Sequence, residues 1–131
     1  MAKREFKFVN EAAKRAFKAL PKRMRQQFGL DLQAVQDGMK PFSAFKDISG
    51  SVGAGAIELI ENGSSAYRAV YCAKYLNTIY ILHAFTKTTN GVDQAAMATA
   101  RKRYKLMKAE VDEATRLAKQ QAKQTGKKRK P

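Results

Sequence analysis

The chain has 131 residues, 44% of them hydrophobic, and its 26 Lys and Arg against 11 Asp and Glu give a net charge of +15. That composition suits one packed domain and is too apolar for a wholly disordered chain. No apolar run approaches the roughly 20 residues needed to cross a bilayer, and Met1-Ala2-Lys3-Arg4-Glu5 does not lead into an apolar signal core, so no membrane association and a cytoplasmic location are expected.

Glu5-Phe6-Lys7-Phe8-Val9 alternates polar and apolar residues, which predicts a short first strand. Asn10 is a suitable N-cap for a helix over 11–20. Phe17, Leu20, Met24, Phe28, Leu32 and Val35 recur at steps of three and four and make one helical stripe, which Pro21 interrupts. Two helices with a break near Leu20-Pro21, the second stopped by Gly38, are therefore expected as a helical hairpin. Met39 to Gly55 is rich in Pro, Ser and Gly and reads as loop.

Three strands follow, over 56–61, 66–74 and 78–87, separated by turns at Asn62-Gly63-Ser64-Ser65 and Leu76-Asn77. Their short connections predict an antiparallel meander. After a polar loop to Asp93, a long helix is expected to about Gln121, with Ala96, Ala100, Tyr104, Met107, Val111, Ala114 and Ala118 as its apolar stripe. The fold class is α+β: one domain over 1–119 with an N-terminal helical hairpin, an antiparallel-rich twisted sheet and a long basic C-terminal helix. Residues 120–131 are expected to be a disordered basic tail.

The charge is uneven. Residues 1–30 hold nine Lys and Arg against two acids, and residues 101–131 hold twelve against three, while residues 31–62 carry more acids than bases. Basic surfaces of this kind predict salt-sensitive contact with RNA phosphate, without sequence specificity, although such faces are often only solvated helix surface.

Strand parity sorts the side chains. Tyr67, Ala69, Tyr71 and Ala73 share one face, and Arg68, Val70, Cys72 and Lys74 the other. In the third strand Ile79, Ile81, His83, Phe85 and Lys87 alternate with Tyr80, Leu82, Ala84 and Thr86. Which face of the neighbouring strand joins Lys87 depends on register, which the sequence leaves open. Arg68 can clamp a phosphate through two N–H donors, or pair structurally with Glu58 or Glu61. Lys87 stands at a strand end, placed either for a loop-built site or as an edge charge. His83 is the only histidine; a lone histidine in an apolar strand is more often a satisfied core residue than a catalyst. Glu58 is a candidate general base, or a partner of Arg68. Cys72, the only cysteine, reads as a small buried side chain.

No Walker loop, dinucleotide glycine fingerprint, nucleophile elbow or metal-ligand cluster is present in the sequence, so neither cofactor nor metal is expected. A basic site without metal suits RNA cleavage. The 2′-hydroxyl attacks its own phosphate, and the protein must align it, accept a proton, stabilise added negative charge and protonate the leaving oxygen.

The order of parts resembles the phage-derived branch of the RelE/HigB toxin family over roughly residues 20–110. The resemblance is carried by the Pro-Lys-Arg-Met-Arg segment from Pro21 leading to Gln36-Asp37-Gly38, then Ile57-Glu58-Leu59, Tyr67-Arg68 and Leu82-His83-Ala84-Phe85. It implies a small RelE-like α+β domain with helices on one side of a twisted sheet, the other side receiving mRNA in the ribosomal A site. It also implies a type II toxin: a ribosome-dependent, metal-free endoribonuclease that arrests translation and is held inactive by a cognate, HigA-like helix-turn-helix antitoxin. Arg68 matches the family's strand arginine at the scissile phosphate, and Lys87 the first of a basic pair. The chain departs at Thr88, where the second of the pair is commonly lysine, and at Ile60, where many relatives carry arginine. Arg68, Lys87, Glu58 and His83 are the catalytic candidates, and Lys46, Lys74, Arg101 and Lys105 are candidate RNA contacts. The departures keep open a non-catalytic phage-derived protein that binds RNA or the ribosome.

Overall fold

The computed structural model describes residues 3–63 and 65–129, with side chains as far as residue 124. Its elements run β1 (Glu5–Phe8), α1 (Glu11–Lys18), α2 (Lys22–Gln36), β2 (Ala44–Asp47), β3 (Ala56–Asn62), β4 (Ala66–Cys72), β5 (Thr78–Lys87) and α3 (Gln94–Arg129). The chemistry expected at each boundary is in place. The Asn10 side chain accepts from the Ala13 N–H at 2.8 Å and opens α1. Pro21, at φ −55°, stands immediately before α2. Gly38 turns out of α2 at φ +80°, and the Met39 N–H returns to the Ala34 carbonyl at 2.9 Å.

The five strands form one sheet in the order β1-β5-β4-β3-β2. β3, β4 and β5 are the expected antiparallel meander, and β1 pairs with β5 in parallel. β2 corrects the reading of 39–55 as loop: Ala44 to Asp47 pairs antiparallel with β3. It was hidden because it is four residues long, exposed throughout, and sits among turn-forming residues.

Two apolar cores lie on opposite faces of the sheet. On one, Phe17, Met24, Phe28 and Leu32 of the helical hairpin pack on Leu59, Ala69, Tyr71, Ile79 and Ile81. On the other, Met97, Ala100, Tyr104, Met107 and Val111 of α3 pack on Val70, Cys72, Tyr80 and Leu82. Helices therefore cover both faces, which corrects the expectation that they share one side. The reason is in the strands, whose two faces are both apolar in β4 and β5 and must both be covered.

A second correction concerns parity. Val70 is opposite His83, but the next residue, Tyr71, is opposite Ile81, so Leu82 is inserted as a bulge. Ile79 and Ile81 join the hairpin core, whereas Leu82 belongs to the α3 core and His83 bonds to α3. Strict alternation had placed Ile79, Ile81, His83, Phe85 and Lys87 together. The bulge transfers the last three to the Arg68 face.

α3 continues past Gln121, so residues 120–129, expected as a disordered tail, extend the helix; residues 130 and 131 lie outside the described residues. Ala, Lys, Gln and Arg are strong helix formers, and no proline interrupts them before Pro131.

Candidate functional site

Directly opposed residues on neighbouring strands share a face, so register assembles the site. Lys46 on β2 is opposite Glu58 on β3, Ile60 is opposite Arg68 on β4, Arg68 is opposite Phe85 on β5, and Ala66 is opposite Lys87. Lys46, Glu58, Ile60, Arg68, Phe85 and Lys87 thus line one surface where α3 does not cover the sheet. Ile48 and Ser51, with Val92, Asp93 and Met97 from the approach to α3, raise its walls into a cavity of about 320 Å³. That is the lower end of ordinary ligand-site volumes and comparable with one nucleotide unit.

Arg68 is the anchor. The residue is only 8% exposed. Nη1 donates to the Tyr67 carbonyl at 2.9 Å and the Glu61 carbonyl at 3.3 Å, and Nη2 donates to Asn62 Oδ1 at 2.9 Å. A guanidinium has five N–H donors. Among the described residues Nε makes no hydrogen bond and Nη2 makes one, so the guanidinium keeps N–H donors that an anion could take. Nε stands 4.0 Å from Glu58 Oε1, an ion-pair separation too long for a hydrogen bond.

Glu58 is half-buried, and burial raises its carboxyl pKa above the ordinary value, while the cations Arg68, Lys46 and Lys87 pull it down. One partly desolvated carboxylate is therefore set among three cations. Lys87 Nζ donates to the Thr89 carbonyl at 2.7 Å, which turns its ammonium toward the loop before α3. Asp93 is engaged as a helix cap, accepting from the Ala96 N–H at 3.0 Å.

The sequence candidates separate clearly. Glu58, Arg68, Lys87 and Lys46 are brought together. His83 is not in the cavity wall: its Nδ1 faces Arg103 Nη1 at 3.0 Å, and its ring stacks on Phe85 with centroids 5.2 Å apart. Burial and the Arg103 charge push its pKa down to about 4, so it is a neutral acceptor. Lys74 lies beyond the far end of β4, in a groove with Arg4, Met39 and Lys40. Arg101 and Lys105 are on the exposed side of α3. The two departures also differ. Ile60 forms apolar wall beside Arg68, while Thr88 is exposed and outside the cavity.

Sequence reading passed over Arg103, which is half-buried and also donates to the Leu82 carbonyl at 3.2 Å. It also missed the walls formed by Ile48, Val92 and Met97. Only the capping position of Asp93, just before an apolar-periodic run, gave a local signal there. Cys72 is buried and unpaired, and burial raises its thiol pKa, which fits the expected packing role. Among the described residues no cluster of His, Cys, Asp or Glu is suited to hold a metal ion, and no helix is long and apolar enough to cross a membrane.

The family of phage-derived Gp49-like proteins (DUF891) matches residues 15–105, which takes in the whole cavity. The chain belongs to this family. Comparison with curated proteins and with solved structures found no match.

Proposed function

We propose that this Gp49-like protein is the toxin of a type II toxin–antitoxin system, an endoribonuclease that cleaves mRNA on the ribosome without a metal. The observation that carries the reading is the placing of Lys46, Arg68 and Lys87 around the half-buried Glu58 in a cavity of nucleotide size. Family membership is compatible with it at a coarse level, and the RelE/HigB resemblance supplies the ribosome and a cognate HigA-like antitoxin as expected partners.

In this mechanism the unengaged N–H groups of Arg68 hold the scissile phosphate and stabilise the charge that develops on it. Glu58 accepts the 2′-hydroxyl proton as the oxygen attacks phosphorus; its raised pKa makes it a stronger base than an ordinary carboxylate. The 5′-oxygen leaves with a proton from solvent or from the Lys87 ammonium, and Lys46 adds positive potential at the rim. The products are a 2′,3′-cyclic phosphate and a 5′-hydroxyl. His83, neutral and bonded to Arg103, has no part in the chemistry.

The test is induced expression of the intact chain, of Arg68→Ala and of Glu58→Gln, with growth followed and new mRNA ends mapped and typed. Arrest with new 5′-hydroxyl ends, lost in both variants while circular dichroism shows them folded, is expected. Full toxicity in folded Arg68→Ala would refute the assignment. A second reading, RNA or ribosome binding without cleavage, is favoured by Ile60, which puts an apolar side chain beside Arg68 where many RelE/HigB relatives carry a cation. It predicts salt-dependent binding and no new ends.

A further inference from the structure

Among the described side chains of α3 the last buried one is Val111, and from Asp112 to Gln124 every residue except half-buried Ala114 is exposed. Residues 112–129 of the helix, about 27 Å at 1.5 Å per residue, therefore extend beyond the packed sheet. This stretch also lies beyond residue 105, where the family match ends. Its charge is one-sided: from Ala114 to Pro131 the sequence holds seven Lys and Arg and no acid.

The cations are ordered as well as numerous. Arg101, Lys105, Lys108, Arg116, Lys119 and Lys123 recur at steps of three and four, with Asp112 filling the gap, and so fall on one side of the helix. Lys108 is paired with Asp112 and Arg116 with Glu113; both pairs are exposed and weak. Lys119 and Lys123 make no ion pair among the described residues.

We infer that the extension of α3 is an arm that binds the phosphate backbone of double-helical RNA, separate from the cavity and independent of any cleavage there. The composition selects this partner. A helix seated in a protein groove needs apolar anchors at i, i+3 or i+4 and i+7, and a helix lying in a membrane surface needs a broad apolar face. Leu117 is the only large apolar residue after Val111. Single-stranded RNA is gripped largely by stacking on aromatic rings, and none follows Tyr104. A straight row of cations without apolar or aromatic contacts fits a regular polyanion recognised by charge and shape.

The experiment uses the full chain and its Arg116→Gln/Lys119→Gln/Lys123→Gln variant, with glutamine chosen because its helix propensity is close to that of lysine. Binding to a short RNA duplex of mixed sequence is measured between about 50 and 200 mM salt. The salt slope should fall by about three and affinity near the upper salt limit on the order of 100-fold, with helicity unchanged by circular dichroism. Lys119→Arg/Lys123→Arg should bind as the parent does. An unchanged slope in the triple variant would overturn the inference. So would polyglutamate or anionic lipid vesicles competing as well as RNA at equal charge, which would assign the arm to an acidic protein or a membrane surface.

Discussion

His83 offers a quantitative test of how the site is built. The ring accepts from Arg103 at 3.0 Å and stacks on Phe85. Burial first, and the Arg103 charge second, lower its pKa from 6.5 to about 4, with Asp93 opposing weakly. The unfolded chain therefore binds a proton through this window that the folded chain refuses. The stabilisation is fully present above pH 6.5 and is lost as pH falls toward 4. The whole displacement corresponds to about 3 kcal/mol, and since the ring is only half-buried, solvent screening reduces it to about 2 kcal/mol. His83→Gln cannot titrate but still presents an oxygen to Arg103. Urea unfolding of both proteins at pH 7 and pH 4.5 isolates the effect, because other groups such as Glu58, whose raised pKa acts in the opposite direction, are common to both. The parent should lose about 1.5 kcal/mol more than the variant on acidification to pH 4.5, which stops short of the full displacement. Equal losses would show that His83 keeps an ordinary pKa, and the neutral, structural role assigned to it would be wrong.

Three further outcomes follow from packing and backbone geometry. Asp31, fully buried, accepts from the Phe42 and Ser43 N–H groups at 2.8 and 2.9 Å and from the Ser43 hydroxyl at 2.6 Å, fixing the approach to β2 and hence Lys46. Asp31→Ala should cost about 2–3 kcal/mol in chemical denaturation; a loss below about 0.5 kcal/mol would show that the approach to β2 is held by other contacts. Gly53 sits at φ +154°, and a Cβ there would overlap the edge of the Tyr104 ring. Gly53→Ala should displace that ring, break the 2.7 Å bond from its hydroxyl to the Ala54 carbonyl, and lower the melting temperature by several degrees or more. Leu76 is 47% exposed and held at φ +56° in the β4–β5 turn. Leu76→Asn should stabilise the protein by about 0.5–1 kcal/mol, since asparagine tolerates that conformation better; a destabilised variant in urea unfolding would count against it.

The sequence by itself determined the elements wherever a local rule operates. Asn10, Pro21 and Gly38 set the limits of the hairpin helices through capping and proline geometry, and the six-residue stripe from Phe17 to Val35 fixed the face they bury. The three meander strands were legible from alternation and from the turns between them, and the charges of Arg68, Lys87 and Glu58 stood out against apolar neighbours.

What only the tertiary structure decided was which of these residues meet. The inserted Leu82 shifts the phase of β5, and no local pattern announces a bulge inside an apolar run. That one residue places Phe85 and Lys87 on the same face as Arg68 and turns His83 toward Arg103, twenty residues away. β2 exists because β3 offers an edge to pair with, not because Ala44 to Asp47 favours a strand strongly. The second apolar face of the sheet had to be covered, and the stripe on α3 covers it. Past Val111 that stripe runs out and the charge persists. Local propensity settles the shape of a segment, whereas a site depends on register and layering, which are set by contacts between segments far apart in the chain.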